Sequence, residues 1–414
     1  MLIHSTSQLL TMNGGPQRGR DLGHLGLIPG GAVLIQDGEI AAVGPSQELL
    51  ETYPWEARID ASDCVVMPGF VDPHTHVIWS GDRAAEFEMR LEGKTYLEIL
   101  ATGGGILSTV HATRAATIDN LLKETRPRLR TMLEYGTTTA EAKTGYGLDT
   151  ETELRMLQAL IALDEEGPLE LAITFLGAHA IAPEYKDDPQ AYTNLICETM
   201  LPEVREWWPD DRRLPFVDVF CETGAFDLAQ SRQIMIQAKQ LGFPLKIHAD
   251  EFDNLGGAAL AAELGAISAD HLVATSPQDI QTLGQSETVA VGLPGTPFGL
   301  AEGHYTPAVE ILEAGGILAL ATDLNPGTAW CESMQFAIAL GCRYMGLTPA
   351  QAITAATINA AAAIDRAEEI GSLEPGKQAD LIILKIPQYQ HLGYRFGTNL
   401  VKQVIKRGQL VVEK

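Results

Sequence analysis

Between residues 65 and 363, short apolar segments alternate with alanine- and leucine-rich stretches, and this alternation constrains the fold more than any other feature of the chain. Strand candidates fall near 65–71, 137–142, 171–178, 216–222, 244–248, 266–270, 287–293 and 317–322. Helical composition marks stretches such as 117–135, 150–166, 227–241, 255–264, 276–284, 306–314 and 348–363. Eight strand-then-helix units predict a (β/α)8 TIM-type barrel. An open doubly wound sheet is the competing arrangement. Its phosphate-binding GxGxxG is missing after the first strand, where His74-Thr75-His76 stands instead.

The two ends of the chain have a different character. Residues 31–44 read as a hairpin turning at Asp37-Gly38, and 401–412 as another turning at Arg407-Gly408. A further strand is expected at 380–384. The simplest organisation is a small β-sandwich domain composed of 1–64 and 373–414, flanking a barrel at 65–372.

With 45% hydrophobic and 20% charged residues in 414, the chain has ample apolar material for a large core. A net charge of −25 argues against nucleic acid or an acidic membrane surface as partner. The first residues lack a basic, then apolar, leader pattern, and no apolar run approaches the roughly 18 residues needed to span a bilayer. The five cysteines are scattered and form no CxxC, which fits reduced thiols in a cytoplasmic protein.

In a (β/α)8 barrel the reacting groups sit at the C-terminal ends of the strands. Here those ends carry His74 and His76, Glu141, His179, Cys221-Glu222, His248 with Glu251, Asp270-His271, and Asp323 with Asn325. The i, i+2 spacing of His74 and His76 puts both imidazoles on one face of an extended segment. Any one of these residues is ordinary at a strand end. Histidines or acids at nearly every end of one rim are not.

The pattern resembles the amidohydrolase superfamily of metal-dependent barrels: His-x-His on strand one, a His on each of strands five and six, and an Asp on strand eight. Within it, several long segments are similar to the imidazolonepropionase family. They are 90–110, Lys-Thr-Gly-Tyr-Gly-Leu (143–148), Thr-Phe-Leu-Gly-Ala-His-Ala (174–180), His-Ala-Asp-Glu-Phe-Asp-Asn-Leu-Gly-Gly (248–257), Ala-Asp-His-Leu (269–272) and Thr-Asp-Leu-Asn-Pro-Gly-Thr (322–328). The resemblance covers essentially the whole chain. It implies hydrolytic ring opening of 4-imidazolone-5-propanoate to N-formimidoyl-L-glutamate, a step of histidine degradation.

The resemblance also implies a set of roles. His74, His76, His248 and Asp323 are the expected ligands of one divalent or trivalent transition metal per chain, Zn or Fe. Three imidazoles and a carboxylate suit either and are poor for Mg²⁺ or Ca²⁺. No lysine stands at the end of strand four to bridge a second metal, and Glu222 there is expected to be structural. Glu251, His271 and Asp323 are the expected catalytic groups: Asp323 takes the proton of an activated water, His271 steadies the oxyanion, and Glu251 assists the leaving nitrogen. For a small-molecule substrate with a carboxylate tail, Arg83 is the expected anchor. Tyr96, Tyr146, His179, Glu251, Asn325, Gly327 and Thr328 complete the expected substrate contacts, with His179 assigned to the ring carbonyl. A homodimer is expected on the same ground.

Two other readings remain open at this point. An aminohydrolase releasing ammonia from a heterocycle would use the same metal set, but a neutral nucleobase has no need of Arg83. A purely structural metal site would close its coordination sphere, which the additional acids and histidines on the rim argue against.

Overall fold

The computed structural model describes residues 1–94 and 104–414. Eight parallel strands form one sheet in chain order. We label them β1 (Phe70–Asp72), β2 (Thr137–Lys143), β3 (Glu170–Ala178), β4 (Phe216–Cys221), β5 (Lys246–Ala249), β6 (Ser268–His271), β7 (Val289–Gly292) and β8 (Ile317–Leu320). The seam between β8 and β1 is stitched just beyond the strands. Thr75 pairs with Leu324 in a parallel bridge, His76 N–H donates to the Leu324 carbonyl, and Asp323 N–H donates to that of His74. Barrel closure thus ties two expected metal-ligand segments directly to one another.

Alternation along the strands sorts side chains to the two faces. On β5, Ile247 and Ala249 pack outward into the main hydrophobic cluster, so Lys246 and His248 point inward. On β4, Val217, Val219 and Cys221 are outward, leaving Phe216, Asp218 and Phe220 for the interior. The N-terminal end of the interior is apolar. Val71, Phe216, Val289, Ile317 and Ala319 pack there against Ala360, Ala361 and Ile364, which stopper that end.

The terminal segments build two further sheets. A four-stranded sheet takes Leu2–His4, Gly31–Gln36, Glu39–Pro45 and Arg58–Asp60. A six-stranded sheet takes Gln8–Leu10, Leu27–Pro29, Val65–Pro68, Leu381–Leu384, Val401–Lys406 and Gln409–Glu413. Ile3, Val33, Ile35, Val66, Leu381 and Ile383 form the apolar layer between them. Both expected hairpins turn where expected. Asp37-Gly38 and Arg407-Gly408 all have positive φ, as tight two-residue hairpin turns require.

Several elements differ from expectation. The strand read at 65–71 is two strands: Val65–Pro68 belongs to the six-stranded sheet, and only Phe70–Asp72 enters the barrel. Gly69 makes the transfer possible, because a Cβ there would lie 2.3 Å from the Thr138 side chain. Its N–H donates to the Asp380 carbonyl across the switch. The helix read at 348–363 is also two, Pro349–Ala355 and Ile358–Ala362, broken at Thr357, whose backbone is not helical. An unanticipated helix, Met334–Tyr344, follows β8. Between β3 and β4 a long helical connection runs from Pro189 to Trp207, with a π-turn at Ile196–Met200. Among the described residues no helix is long and apolar enough to cross a membrane.

Candidate active site

The C-terminal rim of the barrel gathers most of the predicted residues. His74 Nε2 lies 3.5 Å from Asp323 Oδ1, and His76 Nε2 lies 3.7 Å from the same oxygen. His76 Nε2 and His248 Nε2 are 3.2 Å apart. His74, His76 and His248 can offer ring nitrogens within 4.8 Å of one another, and so can His74, His271 and Asp323 with their donor atoms. All five residues are buried.

These donor atoms are poorly satisfied within the protein. His74 Nε2 and Asp323 Oδ1 are buried with no hydrogen-bond partner. Burial, reinforced by the neighbouring cations and imidazoles, pushes His74 and His76 well below the ordinary histidine range, so both are neutral lone-pair donors. Unpaired buried polar atoms are costly, and a divalent metal ion is the group that fits this set. Asp323 itself sits at φ 55 and His271 at φ 78, a backbone region that non-glycine residues seldom adopt. The Thr296 hydroxyl donates to Asp323 Oδ2, which leaves Oδ1 for the cluster.

Beneath the rim lies a charged layer. Lys143 Nζ donates to Glu141 and Asp218, each at 2.7 Å, and Lys246 Nζ lies 3.2 Å from Glu141. Two of the carboxylates reach up to the rim. Asp270 Oδ2 accepts from His74 Nδ1 at 2.6 Å, and Asp218 Oδ2 lies 3.0 Å from His248 Nδ1. The Asp270 bond fixes which His74 nitrogen faces the cluster, the usual way a carboxylate orients a metal-binding histidine, and Asp218 stands close to His248 Nδ1 without a hydrogen bond to it. Burial alone would lower the Lys143 ammonium, but Asp218, Glu141 and Asp270 outweigh it and hold it charged. His74, Glu141 and Asp270 also lie within metal-binding distance of one another. There the two ammonium groups already supply the positive charge.

None of this layer was singled out from the sequence except Glu141 and Asp270. The signal was available: Glu141 and Lys143, Lys246 and His248, and Ser268 and Asp270 are i, i+2 pairs that share the inward face of otherwise apolar strands.

The other predicted residues surround the cluster. His179 stacks on His76 with ring centroids 4.7 Å apart, and its Nδ1 lies 3.0 Å from the Gly145 carbonyl. That carbonyl only accepts, so Nδ1 carries the proton and Nε2 keeps a lone pair. Burial, with His248 nearby, lowers His179 to about 3. Tyr146 packs edge-on to His179 at 5.2 Å, and burial together with the Asp323 carboxylate raises its phenol. Glu251 Oε2 lies 3.7 Å from His271 Nε2. Burial raises the Glu251 carboxyl well above its ordinary range, and Asp323, Glu222 and Glu302 raise it further. Glu222 accepts from the backbone N–H groups of Thr223, Phe252 and Asp253, and so braces the loop that carries Glu251.

Asn325 is spent on its own loop. Its Nδ2 donates to the Asp323 carbonyl at 2.7 Å, and its Oδ1 accepts from Gly327 and Thr328 N–H, each at 2.8 Å. Arg83 faces a cleft of about 550 Å³ that is also lined by Phe87, Arg90, Gly327, Thr328 and Trp330. Tyr96 lies outside the described residues.

With this geometry in view, comparison with known proteins is decisive. The amidohydrolase family model matches residues 65–411, and a model described as an imidazolonepropionase-like composite domain of bacteria matches 31–54. The chain is 53% identical to an imidazolonepropionase of Herpetosiphon aurantiacus, covering 99% of this chain and 96% of that one. The chain belongs to the imidazolonepropionase family. An imidazolonepropionase of Symbiobacterium thermophilum is 49% identical over 100% of this chain and 97% of its own length. Among solved structures, an adenosine deaminase from Xanthomonas campestris with bound zinc is similar in fold. It has 18% identity and a TM-score of 0.72, covering 100% of this chain and 92% of that one.

Proposed function

We propose that this chain, like the imidazolonepropionases it is related to, hydrolyses 4-imidazolone-5-propanoate to N-formimidoyl-L-glutamate. The observation that carries this reading is the adjacency of two features. The buried His74–His76–His248–Asp323 cluster has unpaired donor atoms, and the loop from Asp323 to Thr328 leads directly to a cleft faced by Arg83. Tyr146 stands beside the cluster, its ring centroid 5.9 Å from that of His76.

His74, His76, His248 and Asp323 would hold one divalent metal, Zn²⁺ or Fe²⁺. Such an ion supplies Lewis acidity, lowering the pKa of water from 15.7 toward about 7. The protein does the rest. Arg83 binds the propanoate tail, and Gly327 and Thr328 line the same cleft. His179, neutral with its lone pair on Nε2, accepts a hydrogen bond from a ring N–H. This tautomer favours the N–H over the ring carbonyl that the sequence suggested. Glu251, whose carboxyl burial raises well above its ordinary range, delivers a proton to the departing ring nitrogen. His271, beside Glu251, faces the same reacting atoms and steadies developing negative charge. The Asp323 carboxylate takes the proton of the attacking water.

The rival aminohydrolase reading leaves the Arg83 cleft without a purpose. We further propose that 1–64 with 373–414 acts as one composite domain beside the barrel at 65–372, and that two chains form a homodimer.

Loss of imidazolone absorbance by the purified protein tests the activity. It is expected to vanish after chelation and return with Zn²⁺ or Fe²⁺. Elemental analysis is expected to give about one metal per chain. Ammonia release from a nucleobase, with no turnover of imidazolone propanoate, would overturn the reading.

A further inference from the structure

Arg83 cannot give its whole charge to a ligand. Its Nε donates to Glu86 Oε2 at 2.8 Å. The other Glu86 oxygen accepts from Gly105 N–H at 3.1 Å and Ser108 Oγ at 3.0 Å, so that carboxylate is fixed in place. One guanidinium already facing one carboxylate leaves little net field for a second.

A second guanidinium stands beside it. Arg83 precedes the helix Ala84–Leu91, and Arg90 lies seven residues on, two turns along the same face. Arg90 Nη2 donates to the Gly327 carbonyl at 3.1 Å. Arg83 meets the same glycine from its α-carbon side, where a Cβ would come within 2.4 Å of Nη1. Both side chains line the cleft of about 550 Å³. Among the described residues Arg90 forms no ion pair, and burial followed by the Arg83 charge depresses its guanidinium, with Glu86 offsetting part of this. Two cations gripping one glycine share that single carboxylate, and a second anion between them would relieve the remaining repulsion.

We propose that Arg90 is a second anchor for the substrate's carboxylate tail, sharing it with Arg83 over Gly327, and that this pair makes the site selective for a carboxylate. The proposal rests on the activity proposed above and adds a binding residue to it. It also explains why Gly327 lacks a side chain: any Cβ would displace the Arg83 guanidinium from the position the shared tail requires.

The test uses the metal-loaded full chain with Arg90→Gln and Arg90→Ala. Glutamine keeps an N–H donor for the Gly327 carbonyl and removes the charge. Steady-state kinetics on imidazolone propanoate should show KM raised about tenfold in both variants, the low end of what a hydrogen bond to a charged group is worth, with kcat within about twofold. Competitive inhibition by 3-(imidazol-4-yl)propanoate and by its neutral amide gives a second readout. The wild-type preference for the carboxylate should fall about tenfold in Arg90→Gln, while amide binding stays unchanged. A wild-type KM in Arg90→Gln, with loss only in Arg90→Ala, would make Arg90 a prop for Gly327 and overturn the proposal. An unchanged carboxylate-to-amide ratio would do the same. A wild-type protein that leaves imidazolone propanoate untouched would instead overturn the activity itself.

Discussion

Lys143 and Lys246 in the middle of the barrel each have a carboxylate neighbour, and Glu141, Asp218 and Asp270 each lie within 4 Å of an ammonium group. Nearer the rim, just past β1 and β8, His74 Nε2 and Asp323 Oδ1 are just as buried and have no hydrogen-bond partner. The two layers share burial and polar composition, and they differ in how far the chain completes its own electrostatics. The lower layer largely does so, with Glu141 Oε2 left over, and is scaffold. The upper layer does not, and an external group must complete it. Burial of charge is therefore a poor marker of function in this barrel, and unpaired buried atoms, which also occur singly at Thr125, Ser231 and Gln403, mark the site only where several converge.

The contrast breaks most sharply at Glu251, which belongs to the upper layer without being a ligand. Glu251→Gln keeps size and hydrogen bonding but cannot deliver a proton. We expect metal content to stay at one per chain and kcat to fall about 10²–10⁴-fold, the usual worth of general acid–base help. A fall of less than about tenfold, well below that range, would pass the proton-transfer role to His271.

Next in size is Arg83→Ala. The tail does not react, so its anchor acts on ground state and transition state alike, and KM should rise with kcat nearly constant. Loss of a desolvated carboxylate partner is expected to cost about 2–4 kcal/mol. An unchanged KM would place Arg83 outside the binding site.

The smallest effect tests the lower layer. Asp270→Asn removes the charge that orients His74 and should weaken metal affinity about 10–100-fold, the scale seen for such supporting groups. Chelator competition measures this directly. Affinity within about twofold of wild type, against that expected range, would mean that the lower layer has no part in presenting His74.

The difference between the layers also separates what could be read early from what could not. The candidate metal ligands were legible because each sits at a strand end, where a histidine or aspartate interrupts an apolar run. Lys143, Asp218 and Lys246 were harder to see, because a charge inside a strand is ordinarily taken for a solvent-facing residue. Only barrel closure turns that face inward. Arg90 lies in no element predicted from the sequence, and only the Gly327 loop folded against it gives it a partner.

The sequence by itself determined the number and order of the barrel strands, the two hairpins at Asp37-Gly38 and Arg407-Gly408, and the identities of the ligand candidates. These follow from local rules: side-chain periodicity, turn chemistry and the composition of strand ends. Tertiary structure alone decided that Val65–Pro68 leaves the barrel at Gly69, that His179 keeps its lone pair on Nε2, and that Asn325 is spent on its own loop. Each of these depends on a partner distant in sequence or on a backbone group whose position no side-chain pattern encodes: the Thr138 side chain against Gly69, the Gly145 carbonyl against His179, and the Gly327 and Thr328 N–H groups against Asn325.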